Sequence, residues 1–223
     1  MTLGDQFRPG TFVDAFRFMG DHGNLLLSKT GEHLELSGAA LGIALLLALP
    51  LGLWLGHLHR GLFLAASVSN VGRALPSLVL IAFGLTIFGV GFWNNTAALV
   101  VLALPPILTN AYFAIDGVDR DAVEAARGMG MTEVQVLLRV ELPLGLPLVL
   151  AGVRIAAIFV IATATIAAIA GGGGLGQIIV NQASYGLPGV VAASLCVSAL
   201  AFLAALILTL VRRAAWPRHM PVS

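Results

Sequence analysis

The sequence has few charged residues. Only 10% of its 223 residues are Asp, Glu, Lys or Arg, whereas 58% are hydrophobic and the mean hydropathy is +0.96. An ordinary soluble domain is about 25% charged, so these residues could not cover a surface in water. The formal net charge of +1 argues against a nucleic-acid partner, which requires a dense basic patch. These shortages predict a protein whose main contact is the lipid bilayer.

Cysteine is almost absent. Cys196 is the single one, which excludes a disulfide framework and a thiolate metal site, and we interpret it as a small buried hydrophobe. The five histidines show neither a His-x-x-x-His spacing nor an acidic partner in the sequence, so no metal site is predicted. We expect His57 and His59 to lie at the membrane surface.

The sequence also lacks the motifs of an enzyme. The apolar runs contain no paired aspartates, no His-Glu-x-x-His and no Ser/His combination, so nothing predicts catalysis. The glycine run Gly171–Gly176 is not followed by Lys-Ser/Thr, as a phosphate-binding loop would be. We expect this run to form a tight turn between two membrane spans on the outer face.

Long apolar runs are what the sequence does contain. A helix crosses the hydrocarbon with about 20 apolar residues, and we assign five such runs: Leu36–Gly56, Ala74–Trp93, Thr96–Ile115, Pro143–Ala170 and Val190–Val211. The second has an alternative start, because Gly61–Gly72 is apolar too. The fold class is therefore an all-α integral membrane protein with about five transmembrane helices.

The basic residues predict the orientation. Arg60 follows the first run and Arg212 and Arg213 follow the last. Basic residues mark cytoplasmic loops, so the amino terminus is predicted outside and the carboxyl terminus inside. In the amino-terminal part, Phe12 and Phe16 recur at helical spacing. They indicate either an interfacial amphipathic helix or a loosely ordered tail.

The cytoplasmic segment 117–143 is the main candidate for function. Asp119 is a good N-cap, the glycines at 128 and 130 can end a helix, and Thr132 with Gln135 can form a capping box. Pro143 is expected to stop the second helix. The predicted helix-turn-helix carries apolar side chains that either dock a cytoplasmic partner or pack against the protein's own helix ends.

This segment resembles the Glu-Ala-Ala signature of permease subunits from ATP-binding-cassette importers. The matching residues are Glu124, Ala125, Ala126, Gly130, Val140, Leu142 and Pro143. The resemblance implies coupling helices that sit in a groove of a separate ATPase, with Gly130 allowing two backbones to approach closely. It implies three parts: an extracytoplasmic segment 1–35, a transmembrane domain 36–213 and a cytoplasmic tail 214–223.

The resemblance is strongest to the permeases of osmoprotectant uptake systems. It implies import of glycine betaine, carnitine or choline across the bacterial inner membrane, by a second permease chain, two ATPase subunits and an extracytoplasmic solute-binding protein. ATP and Mg²⁺ would be bound by the ATPase, and this chain would hold no cofactor. The alternatives are a permease for methionine or another amino-acid derivative, and a membrane scaffold that recruits an ATPase without transport.

The candidate residues for lining the path are Arg154, Asn110, Pro76 and Ser77. Arg154 is the one charge deep within a predicted span, where an unpaired charge costs about 2.5–3.5 kcal/mol. It is expected either to pair with a carboxylate, for which Glu141 is the candidate, or to face the path. Pro76 and Ser77 match the Pro-Ser element that the resembling permeases carry in their second span.

Overall fold

The structure is a computed structural model that describes residues 10–215, except for the side chains of Val71, Arg73 and Ala74. Every regular element within those residues is a helix, which confirms the predicted fold class. Among the described residues, four helical segments are long and apolar enough to cross a membrane: Gly23–His57, Phe92–Asp116, Glu133–Ala170 and Gln182–Ala215. The predicted segment 1–35 and tail 214–223 both extend beyond the described residues.

The first long helix begins earlier than its apolar run. Helix α1 spans Gly10–Asp21, and α2 spans Gly23–His57, so the helix starts well before the predicted boundary at Leu36. In α1 the side chains of Phe12 and Phe16 are exposed, whereas Ala15 is buried. The amino-terminal segment is therefore helical where it is described, as the interfacial interpretation requires.

The second predicted span, Ala74–Trp93, is interrupted. Helix α3 spans Leu62–Ala74 and α4 spans Ser77–Phe88, with Pro76 at the N-cap of α4. The residue before a proline is disfavoured in the helical region, which accounts for the break at Leu75. The predicted carboxyl end at Trp93 was also wrong, because Trp93 lies in α5, which spans Phe92–Asp116. The count of five spans stays a prediction.

The predicted stop at Pro143 was wrong. Helix α6 spans Arg120–Gly128 and α7 spans Glu133–Val136; the chain then continues through a π-helical turn, Leu137–Glu141, into α8, Leu142–Ala167. The N–H of Leu142 bonds to the carbonyl of Leu137, five residues earlier. Pro143 is the second residue of α8 and directly follows the π-helical turn, so the helix continues through the proline.

The last part of the chain turns at the glycine run. A 3-10 turn, Ala168–Ala170, is followed by α9, Gly174–Val180, and α10, Gln182–Ala215. Gly171, Gly173 and Gly174 all have positive φ, a conformation that glycine adopts without strain. The first half of the predicted turn is therefore present at residues 171–173, whereas Gly174 and Gly176 lie in α9; its place on the outer face stays a prediction.

The chain divides into two compact units. One contains the described residues up to Leu41, with Pro76–Val100 and Ile158–Leu203; the other contains Gly42–Leu75, Val101–Ala157 and the residues from Ala204 onward. The long helices α2, α5, α8 and α10 each contribute residues to both units. The segment 117–143 lies entirely in the second unit.

Glycines bring helices of the second unit into close contact. A Cβ added at Gly152 on α8 would lie 2.5 Å from the Cβ of Asn110 and 2.8 Å from the carbonyl oxygen of Pro106 on α5. A Cβ at Gly52 on α2 would lie 2.7 Å from the carbonyl oxygen of Leu108. Small residues at such crossings let membrane helices pack backbone to backbone.

Candidate functional site

The first half of the segment 117–143 is a helix with well-defined ends. Asp119 is its N-cap and accepts a hydrogen bond from the N–H of Asp121 at 2.9 Å. At the other end the N–H of Gly130 bonds to the carbonyl of Arg127, and the N–H of Met131 to that of Ala126. This pair of bonds is a Schellman motif.

Gly130 is required by this turn rather than by close approach within the chain. Its φ is +84°, and a Cβ added there would meet nothing within 4 Å. A left-handed residue at the C′ position of a helix is most often glycine, because other residues are strained there. The structure therefore gives Gly130 the helix-ending role that the sequence predicted, and the close approach to the ATPase that the resemblance implies stays a prediction.

The second half begins with the predicted capping box. The side chain of Thr132 accepts from the N–H of Gln135, and the side chain of Gln135 accepts from the N–H of Thr132 at 2.9 Å. Arg127 and Glu133 connect the two helices through an ion pair of 2.8 Å. Its hydrogen bond to Glu133 raises the pKa of the Arg127 guanidinium above the usual value.

The two faces of this helix-turn-helix differ. One face packs against the protein itself in a core of four buried residues with three partly buried neighbours: Val118, Val123, Ala126 and Val136, with Met131, Val140 and Leu144. The other face leaves Met129, Val134 and Leu138 exposed. Packing against the protein's own helices therefore accounts for only one face.

The residues of the Glu-Ala-Ala signature lie on both faces. Glu124 and Ala125 are exposed, whereas Ala126 is buried in the core just described. The later residues of the signature differ in exposure: Val140 and Leu142 are partly buried and Pro143 is exposed. The structure thus brings the signature into one helix-turn-helix and its continuation into α8.

A histidine that we expected at the membrane surface is buried instead. His57, the last residue of α2, has only 3% of its surface exposed. Its Nδ1 lies 2.6 Å from Oε2 of Glu141, and its Nε2 lies 3.1 Å from Oε2 of Glu133. His59 is acid-paired as well, with Asp116 at 2.8 Å.

Sequence reasoning missed these acid–histidine pairs because their members are far apart along the chain. His57 and Glu141 are separated by 84 positions. The available signal was that both border a predicted span on the same predicted face of the membrane. Among the described residues, no group of three or more His, Cys, Asp or Glu side chains is arranged so that it could hold a metal ion.

The sequence named Glu141 as a candidate partner of Arg154, but the two residues do not pair in the structure. Its guanidinium donates instead to the hydroxyl of Thr209 at 3.2 Å, while Glu141 is bound by His57. Asn110 donates to the carbonyl of Pro106 at 2.7 Å and packs against Gly152. Both residues belong to the second unit.

The other two candidate path residues lie in the first unit, together with the glycine turn. Pro76 is the N-cap of α4, and Ser77 is its first residue. The carboxylate of Glu32 accepts from the N–H of Gly174 at 2.8 Å and from Lys29, which fixes the turn to α2. No residue of this unit completes a catalytic arrangement with Ser77 among the described contacts.

Comparison with known proteins identifies the family. Residues 48–216 match the model for the inner membrane component of binding-protein-dependent transport systems. The chain belongs to this family. As a permease subunit it is a transport protein rather than an enzyme, and ATP hydrolysis is performed by a separate ATPase. Its family and its apolar helices make it a multi-pass protein of the inner membrane.

Curated relatives of the permease are osmoprotectant transport proteins. It is 39% identical over 162 residues to the glycine betaine/carnitine/choline transport system permease protein OpuCB of Bacillus subtilis. The matched residues cover 73% of this chain and 75% of that protein. It is 34% identical over 180 residues to the osmoprotectant import permease protein OsmW of Salmonella typhimurium, covering 77% of this chain and 82% of that protein.

A solved structure shares the fold of the permease. It matches a chain of the inward-facing MetNI methionine ABC transporter with a TM-score of 0.73, over 86% of this chain and 96% of that chain, at 24% identity. This likeness establishes the fold of an ABC transporter membrane subunit. At that identity it carries no information about the substrate.

Proposed function

We propose that this permease forms half of the path by which an ABC importer takes up a compatible solute such as glycine betaine, carnitine or choline. The observation that carries the proposal is the 39% identity to a permease named for those three solutes. The five predicted apolar runs contain no charged residue apart from Arg154, which suits a solute with no net charge or a single quaternary ammonium better than a polyanion.

The exposed face of the segment 117–143 is the proposed contact with the ATPase. Met129, Val134 and Leu138 are exposed apolar side chains of this segment, and Glu124 and Ala125 are exposed in it as well. We define these five residues as the coupling face. Apolar side chains on a polar loop are unfavourable in water and favour burial against a partner, and the opposite face of the loop already packs on the protein's own core.

The assembly that we propose contains two permease chains, either identical or related, because five helices are too few to enclose a path. Two ATPase subunits would bind the two coupling faces, and ATP and Mg²⁺ would be held there. An extracytoplasmic binding protein would deliver the solute, and its aromatic side chains would recognise a quaternary ammonium group. In this arrangement the permease itself contributes little to substrate recognition.

The orientation that follows from the basic residues can be tested by cysteine labelling. Val90 lies between α4 and α5 and is exposed, whereas Asn95, close by, is buried and unsuitable. In a Cys196→Ser background, Val90→Cys should react with an impermeant thiol reagent on whole cells, and Thr132→Cys should react only after the cells are opened. The reverse labelling would contradict the orientation and place the coupling face outside.

Uptake measurements test the proposed substrate. Deletion of the permease gene should abolish accumulation of radiolabelled glycine betaine, carnitine or choline in salt-stressed cells that lack other osmolyte importers, and plasmid-borne permease should restore it. Methionine uptake should be unchanged. Loss of methionine uptake with normal osmolyte uptake would favour the amino-acid alternative, and normal uptake of all four solutes would favour the scaffold.

A further inference from the structure

His57 lies between two carboxylates beneath the coupling face. Glu141 is completely buried, at 0% exposure, and its Oε2 lies 2.6 Å from Nδ1 of His57. The opposite ring nitrogen lies 3.1 Å from Oε2 of Glu133, whose side chain is 56% exposed. Glu133 in turn pairs with Arg127 of α6. One line of contacts therefore joins the end of α2 to both helices of the coupling segment.

The two contacts of His57 require two protons. A carboxylate oxygen and an imidazole nitrogen at hydrogen-bond distance attract each other only when a proton lies between them. His57 makes such a contact on each side, so either both ring nitrogens carry protons or Glu141 carries one and donates it. Removal of either proton leaves two lone pairs facing each other. The contact at the exposed end, to Glu133, is then the one that can separate.

We propose that His57 is a positioning residue for the coupling segment, and that the doubly protonated His57–Glu141–Glu133 cluster holds α7 in place on α2. Helix α6 follows α7, because the glycine turn and the Arg127–Glu133 ion pair join the two helices. This inference rests on the proposed function, since it concerns the segment that would bind the ATPase. The cluster is local to the second unit, because all of its members belong to that unit.

The nearby charged residues are paired elsewhere, so His57 is the residue on which Glu141 depends for a partner. On α5 the carboxylate of Asp116 is bound by His59 at 2.8 Å, and on α6 Arg127 contacts Glu133 rather than Glu141. Oε1 of Glu141 has no partner in the structure. A buried carboxylate without a cationic partner is strongly unfavourable, so loss of His57 leaves Glu141 uncompensated.

The position of the coupling segment can be measured without the ATPase. We would attach a nitroxide to Asp121→Cys in the full-length Cys196→Ser permease in lipid nanodiscs, because Asp121 is exposed on α6 and is not a member of the cluster. Glu133→Ala cuts both the histidine and the arginine contacts and should raise the ratio of mobile to immobile label about fivefold. Arg127→Ala cuts only an exposed pair and should change the ratio about twofold or less.

Two histidine variants provide the matched comparison. His57→Asn should mobilise the label as Glu133→Ala does, whereas His59→Asn should leave the spectrum unchanged. Asparagine suits the control because His59 has φ +48°, a conformation that asparagine tolerates. If His57→Asn does not accumulate, His57→Gln with Glu141→Gln removes the buried charge and permits folding. That double variant should also show a mobile label.

Glutamine at position 141 tests the count of protons. Glu141→Gln supplies a proton from its own amide, so Nε2 of His57 can stay protonated and the label should stay immobile. A label as mobile in Glu141→Gln as in His57→Asn would overturn the two-proton arrangement.

The outcomes for the cluster and for the coupling proposal are separable. An immobile label in both His57→Asn and Glu133→Ala would overturn the positioning role, whatever the ATPase does. A mobile label supports that role. If the same variants then retain the ATPase and transport normally in the assembled complex, the positioning role stands and the proposed coupling function of the segment fails.

Discussion

Solute uptake by the assembled transporter should fall by about tenfold or more when Val134 is replaced by aspartate, since an unpaired charge buried in an interface costs at least about 1.4 kcal/mol. Val134 is 54% exposed, so the substitution removes little packing within the permease. Its effect should appear as reduced retention of the ATPase during purification. Membrane-inserted permease should be unchanged.

Val13→Asp is the matched control, because Val13 is also 54% exposed but lies on α1, outside the segment 117–143. ATPase retention should be normal in this variant. Val134→Thr, which keeps the shape of the side chain without a charge, should have a small effect. Normal uptake per inserted molecule in Val134→Asp would refute the coupling face and leave packing against the protein's own helices as the sole role of the loop.

Gly152→Leu should abolish most of the membrane-inserted permease. The first carbon of any side chain at position 152 would meet the carbonyl oxygen of Pro106 at 2.8 Å, and a backbone atom cannot rotate away. The crossing of α5 and α8 would have to open. Overpacking of a well-packed core costs about 1–3 kcal/mol, so Gly152→Ala should lower the unfolding temperature and the leucine variant should rarely fold.

The control for this substitution is Gly42→Leu on α2, because a Cβ at Gly42 meets nothing within 4 Å. Both changes add the same apolar side chain to a long membrane helix, so they alter hydropathy equally. Inserted amount, measured by fluorescence-detected size exclusion, should be normal for Gly42→Leu. Equal accumulation and equal unfolding temperatures for the two variants would show that the close crossing does not limit stability.

The amino-acid sequence by itself determined the solvent of the protein and the positions at which the short helices α6 and α7 begin. The side chains of a long apolar run cannot hydrogen-bond to water, so such a run requires a bilayer. This inference depends on the run alone and on no residue elsewhere in the chain. The caps at Asp119 and Thr132 also followed from the sequence. A cap bonds to backbone groups two or three residues away, so the local sequence contains all of its members.

The motif at Glu124–Pro143 predicted the family as well, which the match over residues 48–216 confirms. The same motif did not predict which of its residues would be buried and which would be exposed. Ala126 became part of a buried core, while Ala125 beside it stayed exposed. Which side of a short helix faces the protein depends on the helices that lie next to it.

The tertiary structure alone decided the partners of the charged residues. His57 and Glu141 lie 84 positions apart. The sequence offered Glu141 only as a candidate partner of Arg154, which instead contacts Thr209. Local rules could not choose between these partners, because a residue's own neighbours along the chain extend over about one helical turn. A buried charge takes its partner from whichever helix end the packing brings beside it, and only the packed helices determine that.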